Sequence, residues 1–203
     1  MLVAMRRLPL LSSILLCAAC GPQNPPSAPT GGGDEEAEPV ETAGDDPGGD
    51  PGGGPGGGEA SSVAQAFVDA HNSRRARHCA DPLTWSDELA GVAQAWADEL
   101  NRQGCAFEHS GNQYGENLAG GSAGLLDAEA TVEMWYREVD QYDFPTGGFA
   151  MQTGHFTQVV WKDTRQVGCG VTTCGGMDTI VCNYQPSGNY QGQYQANVLP
   201  ESC

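Results

Sequence analysis

The sequence has few basic residues. Nine Lys and Arg stand against 26 Asp and Glu among 203 residues, which gives a formal net charge of −17. Residues 60–203 alone carry seven basic and seventeen acidic side chains, a net charge of −10. Because a surface of this sign repels phosphate groups, we exclude nucleic acid as a partner and unassisted binding to an anionic membrane.

The chain also lacks a long hydrophobic run. The apolar run at residues 8–16 is about half of the roughly 20 residues that a membrane-spanning helix needs. It follows Arg6 and Arg7 and ends in small residues, the arrangement of a secretory signal peptide. We therefore predict that residues 1–19 are a signal peptide.

The end of this segment leaves open what becomes of Cys20. Cys20 follows two alanines and resembles the lipid-modified cysteine of a bacterial lipobox, although Cys17 stands where leucine is usual. Lipidation of Cys20 would make the chain a membrane-anchored protein, and we expect an outer-membrane lipoprotein of a bacterium. Ordinary cleavage after Ala19, which would release the protein, is the alternative.

The next stretch has almost no residues that can build a core. Residues 21–58 contain thirteen Gly, eight Pro and eight acidic residues, with no Lys or Arg. This composition predicts a disordered, self-repelling tether over residues 20–59. All four Trp, six Tyr and five Phe lie in residues 60–203, which we predict to be one domain.

The six cysteines of this domain include no CxxC pair, so structural disulfides are expected rather than redox chemistry. Two β-rich segments flank Gly175 and Gly176, which suit a two-residue hairpin turn. In that register Cys169 faces Cys182 in a non-hydrogen-bonded pair, close enough for a disulfide. Cys174 points to the opposite face of the sheet and needs another partner.

Helical patterns dominate the first half of the domain. We predict helices over residues 61–77, from the cap Ser86 to Gly104, and from Asp127 onwards. Residues 155–161 have the composition of a strand, and the hairpin follows. Helices first and antiparallel strands later predict an α+β domain. We place His71 and His78 at helix ends or on the surface, and all four tryptophans in the core.

Two segments carry a family resemblance. Residues 154–161 (GHFTQVVW) and 182–190 (CNYQPSGNY) resemble, in order, the two signatures of the CAP superfamily, the proteins with an SCP domain. Shorter matches are His109-Ser110, the GENL motif at 115–118 and the WYRE motif at 135–138. The resemblance covers residues 63–200.

This resemblance implies a three-layer α-β-α sandwich with a central antiparallel sheet. It also implies a cleft lined by two histidines and two glutamates. Similarity to the plant branch of the family implies a Cys105–Cys174 bridge and leaves Cys79 with Cys203, a pair that departs from the plant pattern. The four cleft residues are His109, Glu116, Glu138 and His155, called the tetrad below.

Three roles for the tetrad stay open. All four side chains are potential ligands for zinc or another divalent cation. In an enzyme, Glu116, Glu138 and His155 would be the acid/base residues. The third role is a polar network that only fixes loops. No HExxH motif is present and no motif places a nucleophile, so catalysis is the less favoured role.

Function follows from these expectations. We expect a secreted or surface-anchored, non-enzymatic module that binds a lipid-like, sterol-like or protein ligand, as the resemblance suggests. A metal-dependent, protease-like hydrolase that uses the tetrad is the first alternative. A surface interaction protein with an inert cleft is the second.

Overall fold

A computed structural model describes residues 16–19 and 57–202 of the chain. Most of the predicted signal peptide and tether, with Cys20, lies outside these residues, so their assignment stays a prediction. The helices and strands are β1 (Leu16–Ala19), α1 (Gly57–Arg75), β2 (Thr84–Trp85), α2 (Asp87–Arg102), β3 (Gly115–Ser122), α3 (Ala128–Tyr136), α4 (Gly154–Val159), β4 (Gln166–Cys174), β5 (Met177–Gln185) and α5 (Tyr194–Asn197).

One sheet runs through the domain in the order β1-β3-β5-β4-β2. The predicted hairpin is its centre, since β4 and β5 pair antiparallel and Cys169 lies opposite Cys182. Strand β3 extends the antiparallel pairing on one side, and β1 follows it at the edge. The residues of β1 belong to the predicted signal peptide, so processing as predicted would leave β3 as the edge strand. The two-residue β2 departs from the prediction because it pairs parallel with β4.

The sheet lies between two helical layers, which confirms the α-β-α sandwich. On one face, Leu118 and Val181 pack against buried alanines and a leucine of α2. On the other, Ala119 and Ile180 pack against α1, α3 and α4. The side chains of successive strand residues thus pack against opposite helical layers, as expected for a pleated strand.

Helix α2 approaches the sheet closely where β4 carries glycines. A Cβ at Gly168 would lie 2.2 Å from the backbone nitrogen of Ala90, and one at Gly170 would lie 2.4 Å from the Cα of Gln94. Any larger residue would push the helix away, so these two glycines set the distance between the layers.

Ser86 is confirmed as a helix cap and Asp127 as the start of the third helix, whereas the first helix spans Gly57–Arg75 and not the predicted 61–77. Ser86 accepts a hydrogen bond from the backbone N–H of Leu89 at 3.3 Å, and Asp127 accepts one from Ala130 at 2.7 Å. Each satisfies an amide that a helix start leaves without a partner. Helix α2 ends at Arg102, just before Gly104.

The predicted strand at residues 155–161 is wrong, because the segment begins with helix α4. Its residues are buried on every side, so the sequence shows no helical period there. Thr157, Val159 and Val160 are β-branched and favour a strand by composition. A tertiary contact decides otherwise, since the carboxylate of Glu138 accepts hydrogen bonds from the first amides of the helix.

Two of the predicted disulfides are present. Cys169–Cys182 joins β4 to β5 with its Cα atoms 4.1 Å apart, as the hairpin register predicts. Cys105–Cys174 joins the loop after α2 to the end of β4, with a Cα separation of 5.6 Å. The pairing of Cys79 with Cys203 stays a prediction, because Cys203 lies outside the described residues.

Arg75 holds the end of α1 to the segment after α4. Its guanidinium is fully buried and donates to the carbonyls of Asp81, Val159, Trp161 and Thr164 at 2.8–3.0 Å. A buried cation needs this many acceptors to offset its lost hydration.

Among the described helices, none has the length and apolarity of a membrane crossing.

Candidate functional site

Glu138 and His155 form a buried pair. Oε1 of Glu138 lies 2.6 Å from Nδ1 of His155, and its Oε2 accepts the backbone N–H of His155 at 3.0 Å and of Phe156 at 3.1 Å. The carboxylate of Glu138 therefore caps α4 and orients the imidazole ring of His155. The positive end of the helix dipole favours a negative charge at this position.

Aromatic and polar neighbours fix His155 further. The indole of Trp135 lies parallel to the imidazole, with a ring-centre distance of 6.2 Å and an angle of 9°. Trp135 itself donates from Nε1 to the carbonyl of Leu118 at 3.1 Å. Asn117 donates to the carbonyl of His155 at 3.2 Å, which ties strand β3 to helix α4.

His109 and Glu116 form the second pair. Nδ1 of His109 lies 2.7 Å from Oε1 of Glu116. Ser110 adds its backbone N–H to Oε1 at 2.9 Å and its hydroxyl to Oε2 at 2.6 Å. Asn183, opposite Glu116 on β5, donates to Oε2 at 3.4 Å. A loop, β3 and β5 thus meet on one carboxylate.

These donors keep Glu116 ionised. Burial works against the charge, but the hydrogen bonds from His109 and Ser110 outweigh it and lower the pKa of Glu116 below its ordinary value. Glu116 is therefore an acceptor at neutral pH, suited to hold an imidazole rather than to release a proton.

The two pairs flank the beginning of β3. Glu116 and Leu118 are two residues apart on β3, so their side chains point to the same face of the sheet, towards α2. The side chain of Asn117 points to the opposite face, towards α4, and contacts His155. The structure therefore brings each histidine to its own glutamate. In the described part of the chain, no group of three or more His, Cys, Asp or Glu is placed to hold a metal ion.

Other residues of the two signature segments brace the site. Gln158 accepts the backbone N–H of Gly188 at 2.9 Å, and Thr157 donates to Asn189 at 2.7 Å. Asn189 donates in turn to the carbonyl of Gly154 at 2.9 Å. The two signature segments are thus hydrogen-bonded to each other. Of all the residues in these two segments, only His155 belongs to the tetrad.

The surface placement of His71 and His78 is wrong. His71 is fully buried, 2.7 Å from the carbonyl of Phe67 and 2.9 Å from the hydroxyl of Tyr184. Its burial lowers the pKa to about 4. His78 is buried too, and desolvation lowers its pKa. Only the apolar residues around His71 in the helix pattern signalled this burial.

The tryptophans divide into two groups. Trp135 and Trp161 are core residues, at 0% and 1% exposure, as predicted. Trp85 and Trp96 are half-buried at the edges of the two apolar clusters. Each partly exposed indole donates to a nearby oxygen, Trp85 to Asp87 and Trp96 to the carbonyl of Glu108, both at 3.0 Å.

Sequence relatives share most of the domain. Protein PRY2 of Saccharomyces cerevisiae is 46% identical over 138 residues, which are 66% of this chain and 40% of the yeast protein. Pathogenesis-related protein 1A of Nicotiana tabacum is 43% identical over 137 residues, 66% of this chain and 81% of the tobacco protein. Secreted protein RBT4 of Candida albicans is 39% identical over 137 residues, 65% of this chain and 37% of that protein.

Solved structures share the fold. The crystal structure of Na-ASP-1 has a TM-score of 0.57 and 24% identity, over 70% of this chain and 43% of that one. The crystal structure of NaASP2 with Zn²⁺ has a TM-score of 0.54 and 25% identity, over 74% and 91%. This chain thus matches less than half of PRY2 and of Na-ASP-1.

A family profile covers the region that contains the complete tetrad. Residues 68–184 match the profile of the cysteine-rich secretory proteins, abbreviated CAP. This range also contains both observed disulfides and all of the sheet except its short β1 edge. The chain therefore belongs to the CAP family of cysteine-rich secretory proteins.

Proposed function

We propose that this protein is an exported, non-enzymatic binding module whose tetrad takes up a divalent metal ion, zinc in the first place. One observation carries the proposal, namely that each tetrad histidine is held at Nδ1 by its own glutamate, at 2.7 and 2.6 Å. In zinc proteins a carboxylate at one ring nitrogen commonly orients the imidazole so that the other nitrogen binds the metal.

The four residues have different roles in this proposal. His109 and His155 would hold the metal through Nε2. Glu116 and Glu138 would position the two rings, because their oxygens already accept several hydrogen bonds from the protein. Two imidazoles leave coordination positions for water or a ligand atom. The metal would supply a positive charge that binds a polar ligand group.

A structural neighbour supports the choice of metal. NaASP2, which shares 25% identity with this chain, was crystallised with Zn²⁺. We propose a lipid-like, sterol-like or protein ligand, to be identified by native mass spectrometry of the exported chain with and without added lipid.

Export is supported by the disulfides and by a relative. Both observed disulfides need an oxidising compartment, and RBT4 is named as a secreted protein. We propose a cell-surface location, with lipidated Cys20 as the anchor in a bacterial outer membrane. Mass spectrometry of the mature amino terminus tests this, since a first residue Cys20 without acyl mass would remove the anchor.

Zinc titration by calorimetry tests the metal site. We expect one zinc per full chain and loss of that site in His109→Gln, whose side chain is 26% exposed and thus tolerant of replacement. Glu129→Gln removes an exposed carboxylate in the first turn of α3, at the opposite end of that helix from Glu138, and serves as the matched control. Equal heats in wild type and His109→Gln would overturn the proposal.

A hydrolase is the competing function. It would use Glu116, Glu138 and His155 with the same metal, and it predicts turnover that a chelator abolishes. A screen of ester and peptide substrates, on wild type and Glu138→Gln, separates the two functions. Chelator-sensitive turnover that Glu138→Gln loses would replace the binding role. If the protein binds neither zinc nor lipid and turns over no substrate, the results would favour an interaction protein with an inert cleft.

A further inference from the structure

An open groove of about 970 Å³ lies at the β2 edge of the sheet. Helices α1 and α2 form its walls, and the outer edge of β4 forms its floor. None of its described lining residues belongs to the tetrad. Other grooves of the described region, beside α3, are smaller, at about 640 and 430 Å³.

The groove exposes apolar side chains. Val63 of α1 is 50% exposed and Val171 of β4 is 40% exposed, two of five large apolar residues that the described region leaves exposed. Trp85 also lines the groove, half-buried, and its indole N–H donates a hydrogen bond to Asp87 at 3.0 Å. Apolar side chains clustered around a concave surface mark a binding site more often than scattered ones do.

At Val171 the floor of the groove offers no backbone groups to an added β-strand. The side-chain amide of Gln94 donates to the carbonyl of Val171 and accepts its N–H, both at 2.9 Å. The outward backbone groups at this point of the strand are therefore satisfied within the domain. At this point an occupant binds through its side chains, in a conformation that needs no backbone pairing. Polyproline II is such a conformation, and it packs on aromatic side chains, of which the described lining offers Trp85.

The lining is also nearly uncharged. Asp87 is the one charged side chain among the described lining residues, and its carboxylate already accepts the indole N–H of Trp85. A strongly charged occupant would find no partner here. The groove thus favours a neutral, proline-containing segment.

The chain carries such a segment. Residues 22–29 read PQNPPSAP, two consecutive Pro-x-x-Pro units without a charged residue, and they lie outside the described residues. One unit in polyproline II spans about 12 Å, a length suited to a groove of this size. We propose that residues 22–29, called the proline tract, dock in this groove of their own chain.

The connection is long enough. Twenty-seven residues, 30–56, separate Pro29 at the end of the tract from Gly57, where α1 begins. A Gly-rich linker of that length has a root-mean-square span of about 30 Å. Val63 lies about 9 Å along the helix from its first residue. The effective concentration of the tract at the groove is then in the millimolar range, so even a weak contact would be occupied.

NMR of the indole resonances tests the docking in the mature chain, with Cys20→Ser to keep it free of lipid. The first variant replaces the four prolines of the tract, Pro22, Pro25, Pro26 and Pro29, by alanine. The control replaces Pro39, Pro47, Pro51 and Pro55 instead. Trp85→Phe assigns the resonance of Trp85. We expect the first variant to shift the resonances of Trp85 and Val171, and the control to leave them unchanged.

Two further measurements complete the test. A peptide of residues 21–30, added at millimolar concentration to the first variant, should return both resonances towards their wild-type positions. Val63→Asp on the groove wall should abolish that response while the fold stays intact. Identical spectra of wild type and the first variant would overturn the proposal. Shifts that depend on protein concentration would overturn it too, because they would make a second copy the occupant.

Discussion

The two His/Glu pairs of the tetrad differ in what holds them. The side chain of His155 is 1% exposed, and its glutamate caps a helix. The side chain of His109 is 26% exposed, and its glutamate is held mainly by one loop residue, Ser110. The Glu138–His155 pair is therefore part of the folded framework. In the other pair Glu116 is buried, at 4% side-chain exposure, but His109 is not, so water can reach the groups that a change of Glu116 frees.

The largest effect is expected for Glu138→Ala. This change leaves the amides of His155 and Phe156 and the ring of His155 without their acceptor inside the protein. Leaving these buried hydrogen-bonding groups without their carboxylate partner costs about 3–5 kcal/mol, which urea unfolding would measure. Glu129→Ala, which removes an exposed carboxylate, should cost less than about 1 kcal/mol. Equal losses for the two variants would contradict the framework role of Glu138.

The second-largest effect is expected when the pH is lowered, because protonation of the buried His71 ring should destabilise the folded chain. Its ring contacts the hydroxyl of Tyr184, which also accepts from Asn117, the residue that binds the carbonyl of His155. Since burial lowers the pKa of His71 to about 4, the unfolded chain binds a proton between pH 6.5 and 4 that the folded chain does not.

Stability should therefore fall as the pH drops through this window, by about 3 kcal/mol in total from His71. Urea unfolding at several pH values measures it. His71→Gln keeps a polar side chain but cannot titrate, so its stability should depend less on pH there. An unchanged slope in His71→Gln would show that His71 does not carry the effect.

A smaller effect is expected for Glu116→Ala. The freed groups of His109 and Ser110 lie at a partly exposed site, where water can replace the lost acceptor. We expect a loss of about 2 kcal/mol, less than for Glu138→Ala. The comparison between the two pairs fails if Glu116→Ala is the more destabilising variant in urea.

Ser110→Ala should have the smallest effect. It removes one hydrogen bond to Glu116, worth about 1 kcal/mol. It should also raise the pKa of Glu116, which NMR titration of the carboxyl carbon would measure. A lowered carboxyl pKa contributes stability above its ordinary range that is lost in acid. That loss begins at the ordinary pKa of an unfolded glutamate in both chains, so in the variant it should be smaller and end at a higher pH. An unchanged pKa of Glu116 would contradict the role of Ser110.

Local features of the chain were predictable from the sequence. The turn at Gly175 and Gly176 sets the register of β4 and β5, so simple counting places Cys169 opposite Cys182. The caps Ser86 and Asp127 follow from the same kind of short-range rule. The ordered signature motifs predicted the fold class, whereas the tetrad as a functional site stays a prediction. The motifs also did not show which histidine pairs with which glutamate.

Long-range packing decided the rest. The segment at Gly154 has strand composition, but its amides meet the carboxylate of Glu138 and it becomes a helix. His71 looked like a surface residue, yet Tyr184, 113 positions later, buries it. Turns and caps depend on neighbours within a few residues, which a sequence displays directly. The state of a buried polar group depends on partners that only the folded chain brings within hydrogen-bonding distance.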